Sequence, residues 1–241
     1  MTEKLFQILE ESDDLLVINK TGDLVCHPTK GDEYSSLIGR LRLYFASQPE
    51  IKPSFINRLD RETSGVILIA KHPGAHTDAQ RLFESGAVEK IYVAIVKGKP
   101  VTEEGVIDAP LGREPGSQVL VKQTVLAEGT PSRTHWKLLK SNGKFSLLEV
   151  RPETGRLHQI RAHLSFIGLP LVGDKIYGPD PSLFLEFIVT GWTAKLKRRL
   201  LVPRQMLHAS ALKMSGLEKK WHWEAPIPED MGLFLEEQGL S

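Results

Sequence analysis

One cysteine in 241 residues, Cys26, excludes an intramolecular disulfide and a four-cysteine zinc site. A lone thiol fits a reducing compartment. Charge of one sign is also missing: 31 Lys and Arg stand against 30 Asp and Glu, for a formal net charge of +1. A nucleic-acid partner, which a strongly basic chain would advertise by composition, would therefore need local patches. Long hydrophobic runs are absent. The longest, such as Val66 to Ala70, have a strand's length and fall far short of a membrane span. The opening Met-Thr-Glu-Lys-Leu-Phe-Gln lacks a basic stretch followed by an apolar one, so no signal peptide is read there and the expected location is cytoplasmic.

Several chemical signatures are missing as well. There is no Gly-x-x-x-x-Gly-Lys-Ser/Thr and no Gly-x-Gly-x-x-Gly, so a nucleotide cofactor is not expected. The eight histidines include no His-Glu-x-x-His, and His158 and His163 stand five apart, not four, so no metal is expected. Ser64 lies in Thr-Ser-Gly, not in the Gly-x-Ser-x-Gly of a hydrolase nucleophile.

What is present is ordinary globular material: 41% apolar and 25% charged residues, enough to bury a core and too apolar for general disorder. Leu15–Ile18, Phe55–Ile56, Gly65–Ala70 and Ile91–Val96 read as strands. Leu37, Ile38, Leu41 and Phe45 fall at helical spacing, and Ala75–Glu84 reads as a short helix. Val106–Val125 reads as short strands with loops. Arg133–Leu139 and Phe145–Val150 read as a hairpin around Asn142-Gly143. Leu157, Ile160, Leu164 and Ile167 form one stripe of a helix. Leu207–Met214 and Lys220–Ala225 read as late strands, with core or edge packing for Trp221 and Trp223, and Asp230–Gln238 as a terminal helix. Strands outnumber helices and often follow one another directly. That order predicts an α+β fold on a mixed, largely antiparallel central sheet flanked by helices and loops. With no repeat and no low-complexity linker, residues 1–241 read as a single domain.

Three segments concentrate polar chemistry. Asn57-Arg58-Leu59-Asp60-Arg61-Glu62-Thr63-Ser64-Gly65 sets a carboxylate among arginines at a strand end. Such a carboxylate stays ionised, which suits a nucleophile or an ion-pair partner, though from charge pattern alone a structural Asp-Arg hairpin is the favoured reading. Pro152-Glu153-Thr154-Gly155-Arg156-Leu157-His158-Gln159-Ile160-Arg161-Ala162-His163 feeds a turn into a helix. His158, Arg161 and Ser165 share one of its faces, which could meet phosphates or a buried carboxylate, or simply face solvent. Lys90 and Tyr92 alternate on a strand and so point to one side, an arrangement that can hold a base and its phosphate but is also a common surface pair.

Together these segments resemble the pseudouridine synthases of the RluA type, which act on ribosomal and transfer RNA. The resemblance runs from Leu15 to about Ala225. It rests on five motifs in order: Arg58-Leu59-Asp60-x-x-Thr63-Ser64-Gly65, Lys90-x-Tyr92, Thr154-Gly155-Arg156-x-His158-Gln159-Ile160-Arg161-x-His163, the Gly168-to-Gly178 run with its Gly173-Asp174-x-x-Tyr177-Gly178, and Leu207-His208-Ala209. Any one could arise by chance; five in order reverse the balance struck from charge pattern alone.

The resemblance implies a catalytic domain of that family and conversion of uridine to pseudouridine in RNA, without a cofactor. It makes Asp60 the essential carboxylate, attacking C1′ or removing the 2′ proton, and Arg161 its salt-bridge partner. Tyr92 would stack on the flipped uracil and assist deprotonation at C5, with Ile160 packing on the base's other side. Arg58 would fill the gap left by the flipped base, and Lys90, Arg156 and His158 would contact the RNA backbone. Two positions depart from the pattern: Asn57 stands where a histidine is usual, and Thr21 where a proline usually follows the lysine. They bear on loop geometry and RNA preference, not on reaction type.

With the match beginning near Leu15, no room is left in this chain for the small N-terminal RNA-binding domain of many relatives. Lys195 to Arg204, with five positive charges and no negative one, is the expected further RNA contact, or else a solvated helix. A monomer is expected. The rival is an RNA-binding or ribosome-assembly factor on the same fold that has lost turnover, for which Asn57 is the one hint. A carboxylate-based nucleosidase would need a second acid facing Asp60, and only Glu62 lies near in sequence.

Overall fold

The computed structural model describes residues 6–27, 35–216 and 219–241. Residues 1–5, part of the stretch read above for a leader, lie outside them. Twelve strands and six helices are found among the described residues. The fold is α+β, as the strand-rich order predicts. The chain divides into two compact units, Met1–Lys90 with His208–Pro228, and Ile91–Leu207 with Glu229–Ser241.

The first unit is built on β1 (Phe6–Glu11), β2 (Leu15–Lys20), β3 (Ser54–Phe55), β4 (Ser64–Ala70), β11 (Leu207–Ser215) and β12 (Lys220–Glu224). Strand β4 is its centre, with every residue buried, as its unbroken Val-Ile-Leu-Ile run demands. It pairs antiparallel with β2 and β3 and parallel with β11, which in turn pairs antiparallel with β12. Helix α1 (Leu37–Tyr44) starts at Ser36, whose hydroxyl accepts the Gly39 N–H. Helix α2 (Pro73–Glu84) starts with proline at its first position, where the missing N–H costs nothing. Ala75 and Ala79 of α2 pack with Val66, Leu68, Leu212 and Trp223 into the unit's core. Trp223 is buried there and its indole N–H donates to Glu10, so the packing role read for it holds.

Strand β5 (Val88–Lys97) carries the chain into the second unit. There it pairs with β10 (Phe145–Pro152), β10 with β9 (Arg133–Ser141), and β9 with β6 (Glu104–Asp108), all antiparallel. A small hairpin, β7 (Leu111–Arg113) with β8 (Gln123–Val125), completes the short strands expected in that stretch. The β9–β10 turn is where Asn142-Gly143 placed it. Gly143 takes φ +87, and the Asn142 side-chain oxygen accepts from the N–H groups of Lys144 and Phe145. Helix α3 (Gln159–Phe166) packs Ile160 and Leu164 onto Ala94, Leu148 and Val150. Helices α4 (Ser182–Thr190), α5 (Ala194–Leu200) and α6 (Glu229–Glu237) follow.

The apolar stripe expected from Leu157 to Ile167 is shorter than its spacing suggests. Leu157 precedes α3 and is 51% exposed, and Ile167 is the C-terminal cap, 36% exposed. The helix cannot start earlier because His158, at its N-terminal cap, takes φ +53, a left-handed conformation that breaks the helical run. The first strand, β1, and helix α4 have no counterpart in the reading above.

Candidate active site

Asp60 lies in the connection from β3 to β4, half-buried, with Arg58 exposed beside it in sequence. The Asp60 carbonyl accepts the Thr63 N–H at 3.1 Å, closing a tight turn. The surroundings of the turn fix it closely. Ile56 donates its N–H to the Leu68 carbonyl, and one residue later the chain leaves the ladder. Asn57 then continues the ladder with its side chain: Oδ1 accepts the Leu68 N–H at 2.8 Å and Nδ2 donates to the Val66 carbonyl at 3.4 Å. The residue that departs from the family pattern is thus fully employed in holding the loop.

On the other side, Lys20 is fully buried and its ammonium donates to the carbonyls of Thr21 (2.7 Å), Leu24 (3.0 Å) and Arg61 (3.0 Å). Those bonds match its three donors and fasten the 21–24 turn to the Asp60 turn. Behind Asp60, Ser64 Oγ lies 2.9 Å from Nδ1 of the buried His208, whose Nε2 is 3.1 Å from the Ala225 carbonyl. That carbonyl can only accept, so Nε2 carries the proton, and in the neutral ring Ser64 donates to Nδ1. Gly65 then takes φ +115, and a Cβ there would stand 2.2 Å from the Ala209 carbonyl oxygen. The Thr-Ser-Gly of the motif has its reason here: β4 and β11 approach too closely for a side chain. Cys26 also packs here, its thiol against the Leu59 carbonyl, and burial raises its pKa. A protonated buried thiol is inert.

In the second unit, Tyr92 stands opposite Val150 on β5 and packs against the same apolar cluster as Ile160. Lys90, two residues earlier on that strand, is pushed down to about 8 by burial. Gln159, an unremarked member of the helix motif, organises the turn before α3. Its Oε1 accepts from the Thr154 hydroxyl and the Arg156 N–H, and its Nε2 donates to the Arg133 carbonyl and Thr134 Oγ1. Arg156 itself is exposed, with its Nε 3.4 Å from the Pro131 carbonyl. Thr134 passes the chain of bonds to His163 Nδ1, and His163 Nε2 reaches the Ala109 carbonyl.

His158, Arg161 and Ser165 do share a face, and Tyr177 covers it. The His158 Nδ1 lies 3.1 Å from the Tyr177 hydroxyl, Ser165 donates to the Tyr177 carbonyl, and the Arg161 guanidinium sits 5.0 Å from the ring centre. Of the alternatives open for that face, a buried carboxylate is present: Asp174. Arg161 Nε donates to its Oδ2 at 2.7 Å and Nη2 to its Oδ1 at 2.9 Å. Asp174 Oδ1 also accepts the N–H groups of Ile176 and Tyr177, both at 2.9 Å. Burial alone would raise this carboxyl; the Arg161 charge and these hydrogen bonds outweigh it and hold it below its usual range. Asp174 was visible in the Gly-Asp-x-x-Tyr-Gly run without a role, since a separation of thirteen residues from Arg161 carries no helical or strand periodicity.

Of the basic stretch 195–204, Lys195, Lys197, Arg198 and Arg199 are exposed on or beside α5, whereas Arg204 is buried and paired with Asp230. Arg204 therefore belongs to the core, correcting its inclusion in the RNA contact. Among the described residues no group of His, Cys, Asp and Glu could hold a metal.

The arrangement is a firmly braced turn carrying a carboxylate, and a strand and helix carrying an aromatic, an apolar and several cationic side chains. The profile of the family described as RNA pseudouridylate synthase matches residues 14–166, a span that contains Asp60, Tyr92 and Arg161. The chain belongs to that family. An uncharacterised RNA pseudouridine synthase of Chloroflexus aurantiacus is 37% identical over 91% of this chain and 65% of its own. The ribosomal large subunit pseudouridine synthase D of Nitrosomonas europaea is 37% identical over 95% of this chain and 64% of its own. The chain thus spans just under two thirds of the length of these relatives. The protein of the same name from Salmonella typhimurium is 35% identical over 93% of this chain and 68% of its own. Among solved structures, human RNA pseudouridylate synthase domain containing 4 superposes with a TM-score of 0.76 at 26% identity, covering 96% of this chain and 92% of that one. The resemblance read from five motifs is borne out, and with it the α+β fold of a pseudouridine synthase.

Proposed function

We propose that this chain is an RNA pseudouridine synthase that isomerises selected uridines in large-subunit ribosomal RNA. The observation that carries the reading is Asp60 in its Arg-Leu-Asp turn, inside the matched span 14–166 of an RNA pseudouridylate synthase family. The ribosomal substrate is suggested by the names of the Nitrosomonas and Salmonella relatives. Transfer RNA remains the alternative substrate within the same chemistry.

In this reading both units serve one catalytic domain over residues 1–241. Asp60, ionised, attacks C1′ or removes the 2′ proton. Uracil leaves, turns and rejoins through C5, so no cofactor and no metal is required. Arg161 pairs with Asp60 and keeps it ionised. Tyr92 and Ile160 hold the extruded base, whose unstacking costs a few kcal/mol, and Arg58 fills the space it vacates. Lys90, Arg156 and His158 contact the RNA backbone, with the exposed Lys195, Lys197, Arg198 and Arg199 as a second contact. The protein works as a cytoplasmic monomer; no described helix is long and apolar enough to cross a membrane.

The rival reading, an inactive binding or assembly factor, drew on Asn57. The bonds of Asn57 to Leu68 and Val66 give that residue a structural task compatible with turnover. The test is a pseudouridine map of cellular RNA from cells with the gene intact, deleted, or carrying Asp60→Ala. Specific sites that vanish in both altered strains are expected; an unchanged map in both sinks the enzyme reading.

A further inference from the structure

Strand β5 turns its two faces to different neighbours. Tyr92 alternates with Ala94 and Val96, which pack with Ile160 and Leu164 of α3. Lys97 alternates with Val93 and Ile95, which pack with Phe145 and Phe234 on the other face. Lys97 also stands five residues beyond Tyr92, about 16 Å along an extended strand. A nucleotide held at Tyr92 is therefore out of reach of Lys97.

Around Lys97 the second unit gathers cations. The Lys97 ammonium donates to the Arg199 carbonyl at 3.4 Å, which brings the end of α5 with Lys197, Arg198 and Arg199 alongside. Lys99 follows on the same chain, exposed. Gly98 donates its N–H to the Lys144 carbonyl at 2.7 Å, and Ser146 Oγ donates to the Gly98 carbonyl at 2.7 Å. The β9–β10 turn and its exposed Lys144 are thereby fastened to the same strand end, with the Lys144 ammonium 5.2 Å from the Phe145 ring centre. The acids beside α5 are already committed: Glu186 pairs with Lys195, and Asp180 accepts the Ser182 N–H. Among the described residues no salt bridge neutralises Lys97, Lys99, Lys144, Lys197, Arg198 or Arg199. One lysine is enough to satisfy the carbonyls at a helix C-terminus. The others add only repulsion within the folded chain, and burial followed by the Arg199 charge lowers the Lys97 pKa.

We propose that these six cations form an RNA-binding ridge that grips the phosphate backbone of a segment other than the one supplying the target uridine. This rests on the proposed RNA substrate, and it extends the contact on α5 to the end of β5 and to the β9–β10 turn. Lysine is depleted at protein–protein interfaces, whose centres are apolar. A run of lysines and arginines instead displaces the counterions of a phosphate backbone. Phosphate contacts carry no base readout, so the ridge supplies affinity and orientation, not the choice of uridine.

Lysine footprinting tests the ridge. The full chain is acetylated by an activated acetate ester, alone and with a protein-free transcript of large-subunit ribosomal RNA, and each lysine is read by mass spectrometry. A gel shift reports whether the complex has formed. Lys97, Lys99, Lys144 and Lys197 should be protected several-fold by the transcript, and the protection should fade as salt rises. Lys97→Gln, Lys99→Gln and Lys144→Gln combined should weaken binding of the transcript about tenfold at physiological salt, with the log–log salt slope shallower by about two units.

Unchanged acetylation of these lysines in a complex that has formed overturns the proposal, as does an unchanged affinity of the folded triple variant. Protection given only by the protein-bearing ribosomal subunit overturns it too, because the partner is then a protein. The footprint uses the unaltered chain, so it decides even where the triple variant does not fold. A transcript that forms no complex removes the ridge together with the RNA substrate. A protected ridge on a chain that converts no uridine sinks the isomerase reading alone, and conversion with an unprotected ridge sinks the ridge alone.

Discussion

At the scale of single residues, the turn that presents Asp60 is defined by what surrounds it. Lys20 holds three carbonyls, Asn57 stands in for a ladder position, and Ser64 binds a histidine whose other nitrogen is committed to Ala225. Gly65 permits the backbone approach that makes the last of these possible. Gly65→Ala is therefore expected to cost at least about 3 kcal/mol, because the added carbon meets backbone that cannot retreat. Gly86→Ala is the control. Its φ is +75, but nothing lies within 4 Å of the added carbon, so only the backbone penalty of about 1 kcal/mol applies. Urea unfolding of both variants measures the difference; equal costs would show that the β4–β11 approach is not tight. Asp60, Arg58 and Tyr92 stand out in the chain as candidates because each sits in a local motif. The tasks of Lys20, Asn57 and Asp174 do not, because their partners come from distant turns.

At the scale of elements, periodicity located most strands and helices, missed β1 and α4, and carried α3 past both of its ends. Helix α3 starts two residues after Leu157 because His158 adopts a left-handed backbone under the Tyr177 hydroxyl, a contact invisible to a stripe count. Helix α5 shows the opposite case. Its run of cations was legible, and burial divides it: Leu196 and Leu200 face inward, while Lys197, Arg198 and Arg199 are exposed and Lys195 pairs with Glu186. Lys97 donates to the Arg199 carbonyl, and burial followed by the Arg199 charge lowers its pKa, as expected in a positive field. Replacing Lys197, Arg198 and Arg199 together by alanine should weaken RNA binding about tenfold at physiological salt. It should also make the plot of log affinity against log salt shallower by about two units. Filter binding across a salt series checks both. Arg204→Ala should instead destabilise the fold, since it leaves Asp230 without its buried partner.

At the scale of the whole molecule, a net charge of +1 gives no hint of the RNA partner proposed above; the exposed cations of α5 are the local patch on which that proposal draws. The pH response of the fold is set by buried groups. His163 has its pKa lowered by burial first, with the Ala109 hydrogen bond opposing, and is neutral inside the second unit. The unfolded chain, with an ordinary histidine value of about 6.5, binds more protons below that pH than the folded one. Stability from this group is thus present above about 6.5 and lost as the pH falls below it. Unfolding free energy should drop between pH 7 and pH 5, and His163→Gln should flatten that drop; a slope unchanged by the substitution would place the acid sensitivity elsewhere.

The sequence alone determined the fold class and the family, and singled out Asp60 as the carboxylate proposed for the reaction, because strand alternation, turn chemistry and motif order are written in neighbouring residues. Tertiary structure alone decided which charges are buried struts and which face water. Arg204 and Arg199 look alike in the chain, yet one is buried against Asp230 and the other faces water. Arg161 and Asp174 share no local pattern, yet they meet in a buried fork. Burial and long-range pairing depend on where the chain returns to itself, and no short window of residues carries that information.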